Sequence, residues 1–183
     1  MWFERRYTMT DEMMRECEAE KQAEMTAPTE KKEGKKGGKK TLTARQLARE
    51  AVFCLLFETE YHDGESETPE MILERAALSR DVKADNAYIR DTYFGVCEHM
   101  GELDELIGRH AKGWRTGRLS RVSRAIIRLG VYEMKYRDDI PNAIAINEAV
   151  ELSKRFDAPK ARAFINGVLN AVKDELEGKS GDE

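Results

Sequence analysis

Hydrophobic side chains recur at intervals of three and four residues through most of the chain beyond residue 42, a spacing that places them on one face of an α-helix. The segment Ile140–Phe156 has the clearest such face, and Pro141 suits its first turn because a proline there sacrifices no hydrogen bond. We predict that this segment is a central packing helix, since small side chains let neighbouring helices approach closely. The face consists of Ala145, Ile146, Ala149, Val150, Leu152 and Ser153.

Similar patterns predict helices on both sides of this segment. The predicted ranges are Thr43 to about Tyr61, Thr68 to Leu78, Asp85 to His110 with a bend at Gly101, Ser120 to Tyr136, and a last helix from Ala161 to about Leu176. Short polar connections separate them, and no internal repeat is visible. The fold class is therefore predicted to be all-α, a bundle of six or seven helices.

The first part of the chain differs in composition from the rest. Residues 30–40 read EKKEGKKGGKK, and such a Lys/Gly-rich stretch cannot bury enough apolar surface to offset the entropy lost on ordering. We therefore expect residues 1–40 to be a flexible extension, residues 41–177 to form the folded domain, and residues 178–183 to be a polar tail.

Composition limits the class of protein further. Charged residues make up 36% of the 183-residue chain, and no apolar run approaches the roughly 20 residues that span a bilayer. Three widely spaced cysteines, Cys17, Cys54 and Cys97, fit a reducing compartment better than a disulfide framework. We therefore predict a cytoplasmic protein. The formal net charge of −4 argues against indiscriminate binding of polyanions.

Sequence motifs for catalysis are missing. The three histidines, His62, His99 and His110, are not paired with cysteines or carboxylates at ligand spacing, and no nucleophile elbow, phosphate loop or zinc-protease motif occurs. The prediction is a protein that is not an enzyme and needs neither metal nor cofactor.

Two groups of basic residues point to nucleic acid. Lys39 and Lys40 lead directly into Arg45 and Arg49, which lie one turn apart at the start of the first helix, and together they could contact phosphates. The alternative is a solvated tail followed by ordinary surface arginines.

A second group lies around the start of the last helix. Phe156 and Phe164 flank Lys160, so their rings could stack on bases while the cation meets phosphate. The alternative is that both rings belong to the core.

The carboxylate of Glu133 is predicted to face the interior of the protein rather than solvent. Glu133 lies between the directions of Val122 and Ile126, on the apolar side of its helix. A buried carboxylate needs a partner, so we expect either a pair with a neighbouring helix or a contact with another protein. The opposite face, which carries Arg121, Arg124, Arg128 and Lys135, is expected to be exposed.

Asn147, Asn166 and Gly167 are disfavoured inside helices and suggest tight helix packing.

Several blocks resemble the NusB family of transcription antitermination factors. They are LSRVSRAIIRLGVYEM at 119–134, Ile140–Pro141, AINEAVELSK at 145–154 and FINGVL at 164–169, with ARE at 48–50, LF at 56–57 and Trp114 also matching. The resemblance extends from Thr43 to about Glu177. It implies about seven helices arranged as two three-helix halves.

The resemblance also implies a function. Members of the family bind boxA RNA in nascent ribosomal RNA transcripts together with the ribosomal protein NusE, and join an antitermination complex on RNA polymerase. Transferred by position, RNA contacts would fall on Lys39, Lys40, Arg45, Arg49, Phe156, Lys160 and Phe164, and NusE contacts on Phe57, Tyr132 and Glu133. The arginine motif is thinner here, because Gln46 and Leu47 occupy positions that are often basic in the family.

Two other functions are compatible with this architecture. The family fold also occurs as the RNA-binding domain of ribosomal RNA cytosine methyltransferases, but we do not expect this function, because the sequence ends before such a catalytic domain could begin. From a different class, the protein could be a protein-only scaffold or homodimer with a weakened RNA face.

Overall fold

The computed structural model describes residues 42–61, 67–79, 86–112 and 119–178. Over these ranges the chain forms seven α-helices and no β-strand. They are α1 (Ala44–Thr59), α2 (Pro69–Ser79), α3 (Ala87–Glu98), α4 (Met100–His110), α5 (Arg121–Tyr136), α6 (Asn142–Phe156) and α7 (Ala161–Leu176). The predicted all-α bundle is confirmed.

Short-range capping explains why the helix starts were predictable. Thr43 and Gln46 form a reciprocal capping box at α1, in which the Thr43 Oγ1 accepts from the Gln46 N–H at 3.2 Å. Ser120 caps α5 by accepting from the Ser123 N–H at 2.9 Å. Each cap satisfies backbone donors that the first turn leaves free.

Two helix boundaries differ from the prediction. Pro141 lies just before α6 with an extended backbone, ψ 138°, so that helix begins at Asn142. The predicted helix from Asp85 to His110 is two helices, and the chain breaks at His99 rather than at Gly101.

The helices form two halves. In the first, α1 packs against α2 and α3; in the second, α5, α6 and α7 all pack against one another. Contacts of α1 and α3 with α5 join the halves, and α4 packs against α3, α5 and α7.

The predicted packing of α6 against the helices before and after it is confirmed, and α5 is the helix that others cover on most sides. Residues 125–133 of α5 are buried without interruption, because other helices cover every side of this stretch. Gly130 permits a close approach of α6 and α7: a Cβ there would lie 3.1 Å from Leu169 on α7 and 3.5 Å from Ala149 on α6. The predicted small-residue face of α6 is buried apart from Val150, which is half-buried.

Candidate nucleic-acid interface

Arg45 lies at the surface in the first turn of α1. Its side chain is 43% exposed and pairs with Asp139 at 2.7 Å. The guanidinium carbon lies 4.3 Å from the centre of the Tyr88 ring, within the range of a cation–π contact. Arg45 is therefore oriented by the protein while it remains accessible to a ligand.

Arg49, one turn later, is inside the bundle. Its Nε lies 3.0 and 3.1 Å from the two carboxylate oxygens of Glu133, and its NH1 lies 3.3 Å from Glu148. The Tyr88 hydroxyl donates to the same Glu133 carboxylate at 2.5 Å. Arg49 is 3% exposed and Glu133 1%.

This burial corrects one expectation and supports another. The predicted surface guanidinium at Arg49 was wrong, because α5 and α6 supply the carboxylates that enclose it. The inward direction predicted for Glu133 is confirmed, and the structure shows the first of the two expected partners, a pair with a neighbouring helix.

The network also alters proton affinities. Burial alone would lower the pKa of Arg49, but the hydrogen bond and negative charge of Glu133 outweigh it, so its pKa is raised above the usual value. Burial raises the pKa of Tyr88, and the charge of Glu133 raises it further. Both groups therefore keep their protons at neutral pH.

A second cationic group lies where α6 ends and α7 begins. Phe156 is half-buried, its ring centre 4.9 Å from that of Phe53, and the Arg155 guanidinium lies 4.9 Å from the Phe156 ring. Arg155 also forms a two-point pair with Glu50 at 2.5 and 2.9 Å. Lys160 is exposed. Arg155 was missed from sequence, although its place beside Phe156 in the last turn of α6 was a usable signal.

The turn between these helices is held in place by α5. The Asp157 carboxylate is 8% exposed and accepts hydrogen bonds from the Ser123 hydroxyl at 2.5 Å and the Ala158 N–H at 2.9 Å. Phe164 is half-buried and packs against the core, so its ring combines a structural contact with partial exposure.

A cleft of about 360 Å³ lies between α1 and α6. Its lining combines apolar, amide and charged side chains: Leu42, Gln46, Arg49, Asn147, Glu148, Glu151, Leu152 and Arg155. The cleft therefore lies between the start of α1, where Arg45 is, and the end of α6, where Arg155 and Phe156 are.

The three residues expected to face a protein partner do not form one surface. Phe57 is half-buried in a row of rings with Phe53 and Tyr61, at centre distances of 6.1 and 5.3 Å. Tyr132 is 8% exposed and donates a long hydrogen bond, 3.4 Å, to the Asp91 carbonyl. Glu133 is enclosed, as described above. Lys39, Lys40 and Trp114 lie outside the described residues.

Other expectations about the helix surfaces were wrong. Asn147, Asn166 and Gly167 are exposed rather than packed between helices. Arg128 is 7% exposed and makes a two-point pair with Asp104 at 2.7 and 2.8 Å, so the basic face of α5 is partly buried. Periodicity gives the direction of a side chain relative to its own helix, but it does not show which helix covers that direction.

The described residues contain neither a membrane-spanning helix nor a cluster of metal ligands. None of the described helices combines the length and apolar character that crossing a membrane requires. Over the same residues, no three His, Cys, Asp or Glu side chains converge to hold a metal ion.

Comparisons with known proteins agree with the resemblance. Residues 44–174 match the model of the NusB family. The transcription antitermination protein NusB of Agathobacter rectalis is 45% identical over 125 residues, which are 68% of this chain and 95% of that protein.

Solved structures show the same similarity. T. maritima NusB is 35% identical, with a TM-score of 0.63, and the match covers 74% of this chain and 94% of that one. A structure of the antitermination factors NusB and NusE in complex with dsRNA is 26% identical, with a TM-score of 0.63, and the match covers 72% of this chain and 96% of that one.

Proposed function

This chain belongs to the NusB family, and on that premise we propose that it is a transcription antitermination protein that binds RNA together with NusE. The observation that carries the proposal is the match, over nearly all of the solved chain, to a protein whose structure was determined with NusE and RNA. We infer that the RNA is boxA-type single-stranded RNA of nascent ribosomal transcripts, and that the complex acts on RNA polymerase in the cytoplasm. The action is binding and scaffolding, without bond chemistry.

The described residues provide two candidate contacts for a phosphate backbone. Arg45 in the first turn of α1 is 43% exposed, and Arg155, which lines the cleft, is 42% exposed, with Lys160 nearby in sequence. Each arginine has a carboxylate partner but retains N–H groups, since a guanidinium carries five donors. We add Arg155 to the predicted set and assign Arg49 to positioning, because its enclosed guanidinium holds α1 against α5 and α6.

Phe156 and Phe164 remain candidates for stacking on unpaired bases. Single-stranded RNA is commonly bound by aromatic rings beside cations, because every base presents a π face. Phe156 already has the Arg155 guanidinium over its ring, so a base could extend that stack. Phe57 and Tyr132 stay proposed NusE contacts on two separate patches.

The test is RNA binding measured by fluorescence anisotropy. A boxA-type strand and a scrambled strand of equal composition are titrated with the full chain, with and without NusE. Preference for the boxA-type strand, strengthened by NusE, is the expected result. Equal binding of both strands in both conditions would contradict the proposal and favour the protein-only scaffold, which sedimentation would then examine as a homodimer.

A further inference from the structure

We propose that the cleft between α1 and α6 binds one RNA base that carries an exocyclic amino group, that is, adenine, cytosine or guanine rather than uracil. This inference rests on the proposed RNA-binding function and adds to it a site that reads the identity of a base. Phosphate contacts position an RNA but carry no sequence information, so selectivity requires a group that contacts base edges.

The charges in the cleft favour a hydrogen-bond donor over a phosphate as its occupant. Arg49 pairs with Glu133, Arg155 with Glu50, and Glu151 with Lys154. Glu148 shares the Arg49 guanidinium with Glu133, so the lining and its partners carry one carboxylate in excess. A phosphate placed beside Glu148 would meet like charge, which is costly where solvent is partly excluded.

The same carboxylates suit an amino group. Glu148 is held on both oxygens, because the Gln46 Nε2 donates to one at 3.1 Å and the Arg49 NH1 lies 3.3 Å from the other. A carboxylate offers about four acceptor sites, so each oxygen can accept one more hydrogen bond. Carboxylates pair with base amino groups in this way, whereas uracil has no amino group, and its N3–H donor lies between two carbonyl oxygens that would face the carboxylate as acceptors.

The remaining lining fits a planar ring. Leu42 and Leu152 provide apolar walls, and the volume of about 360 Å³ is at the lower end of the range for small-molecule sites, which suits one base. Asn147 is exposed at this cleft, and its amide makes no hydrogen bond to the other described residues. An asparagine inside a helix is unfavourable, and at this exposed position no hydrogen bond to the other described residues compensates for it.

The position of the cleft supports the assignment. Arg155, one of the two candidate phosphate contacts, lines it, and Arg45, the other, directly precedes Gln46, which also lines it. A strand that spans both arginines would pass over the opening with its backbone outside. One base could then turn inward with its amino group between Glu148 and Glu151, which both line the cleft. Arg49 acts in this site as a positioning residue, because its contact orients the carboxylate that reads the base.

The experiment removes one amino group at a time from the RNA. In the boxA-type strand, each adenosine is replaced in turn by nebularine, each guanosine by inosine and each cytidine by zebularine, and binding is measured by anisotropy. For the wild-type chain, we expect one position at which the loss weakens binding about tenfold, the effect of one lost base contact. In Glu148→Gln and Glu151→Gln, that penalty should shrink to within about twofold.

The control is Glu74→Gln, an exposed carboxylate on α2 that does not line the cleft. Glu74→Gln should show the same loss of RNA affinity as the wild-type chain when that amino group is removed. Glu151 has a side chain that is 48% exposed, so Glu151→Gln keeps the test valid even if Glu148→Gln does not fold.

Two outcomes would overturn the inference and differ in what they say about function. In the first outcome, the wild-type chain binds the boxA-type strand selectively, but removing any amino group leaves the affinity unchanged, or both cleft variants keep the full loss of affinity. The cleft then does not read a base, while the proposed function stands. If the wild-type chain binds neither strand, the proposed function fails as well.

Discussion

Arg49 and Glu133 form an ion pair inside the bundle, with the Arg49 NH2 2.9 Å from the Glu133 carboxylate and both side chains at most 4% exposed. The pair joins the first turns of α1 to the last turns of α5, across 84 positions of sequence. It fixes the helix that presents Arg45 and one wall of the cleft. The proposed RNA contacts therefore depend on a buried ion pair that RNA itself does not reach.

Removing one member of this pair should be costly. We expect Arg49→Met to lower the free energy of unfolding by about 3–5 kcal/mol, because the Glu133 charge is left buried and uncompensated. Arg49→Met/Glu133→Met should recover part of the loss, since neither charge then remains. Urea denaturation monitored by circular dichroism provides the measurement.

The surface pair of Arg45 serves as the control for that series. Arg45 and Asp139 are 43% and 51% exposed, so Arg45→Ala should cost less than about 1 kcal/mol. A loss in Arg49→Met no greater than that in Arg45→Ala would show that the buried pair contributes little to stability.

Tyr88 should make the protein lose stability in alkaline solution. Its folded-state pKa is raised above the ordinary value of 10.0, so above that pH the folded state keeps a proton that the unfolded chain releases. Stability must then fall as pH rises above 10, where the unfolded state binds fewer protons. Tyr88→Phe should be less stable at neutral pH, since it loses the hydrogen bond to Glu133, but its stability should fall less steeply.

The measurement is the free energy of unfolding from about pH 8 to about pH 11, for both proteins. Tyr93 also has a raised pKa, but it is present in both, so the difference between the two curves isolates Tyr88. Parallel curves would mean that the Tyr88 proton does not contribute.

Two glycines should respond to alanine in opposite directions. A Cβ at Gly95 would lie 2.0 Å from the Tyr132 hydroxyl oxygen, so Gly95→Ala must displace that ring and should destabilise the protein by about 1–3 kcal/mol. Gly167 has no atom within 4 Å of the same position, so Gly167→Ala should stabilise α7 by up to about 1 kcal/mol. Thermal unfolding of both variants checks the signs, and a destabilised Gly167→Ala would indicate a partner for that face.

The helices could be predicted from sequence because their signals are local. Apolar spacing and the caps at Thr43 and Ser120 lie within a few residues of the boundaries that they set. The inward direction of Glu133 followed from the same spacing. The partner of Glu133 could not be predicted, because no local rule connects Glu133 to Arg49.

The site could be predicted only in part. The same lack of long-range information made Arg49 look like a surface cation, and it concealed the close contact of Gly95 with Tyr132. The cleft was not predictable either, since its walls come from two helices about a hundred residues apart in sequence and their carboxylates have no motif.

The most direct test of the RNA face is the salt dependence of binding in variants with matched charge. Arg155→Gln/Lys160→Gln removes two cations from the proposed face, and Arg109→Gln/Lys135→Gln removes two from α4 and α5. The measured quantity is the slope of the logarithm of the association constant plotted against the logarithm of the salt concentration. We expect the magnitude of this slope to decrease by roughly 1.4 in the first variant, about 0.7 for each lost phosphate contact. In the second variant, the slope should stay at the wild-type value. Equal slopes in all three proteins, or equal decreases in both variants, would contradict the placement of RNA on this face.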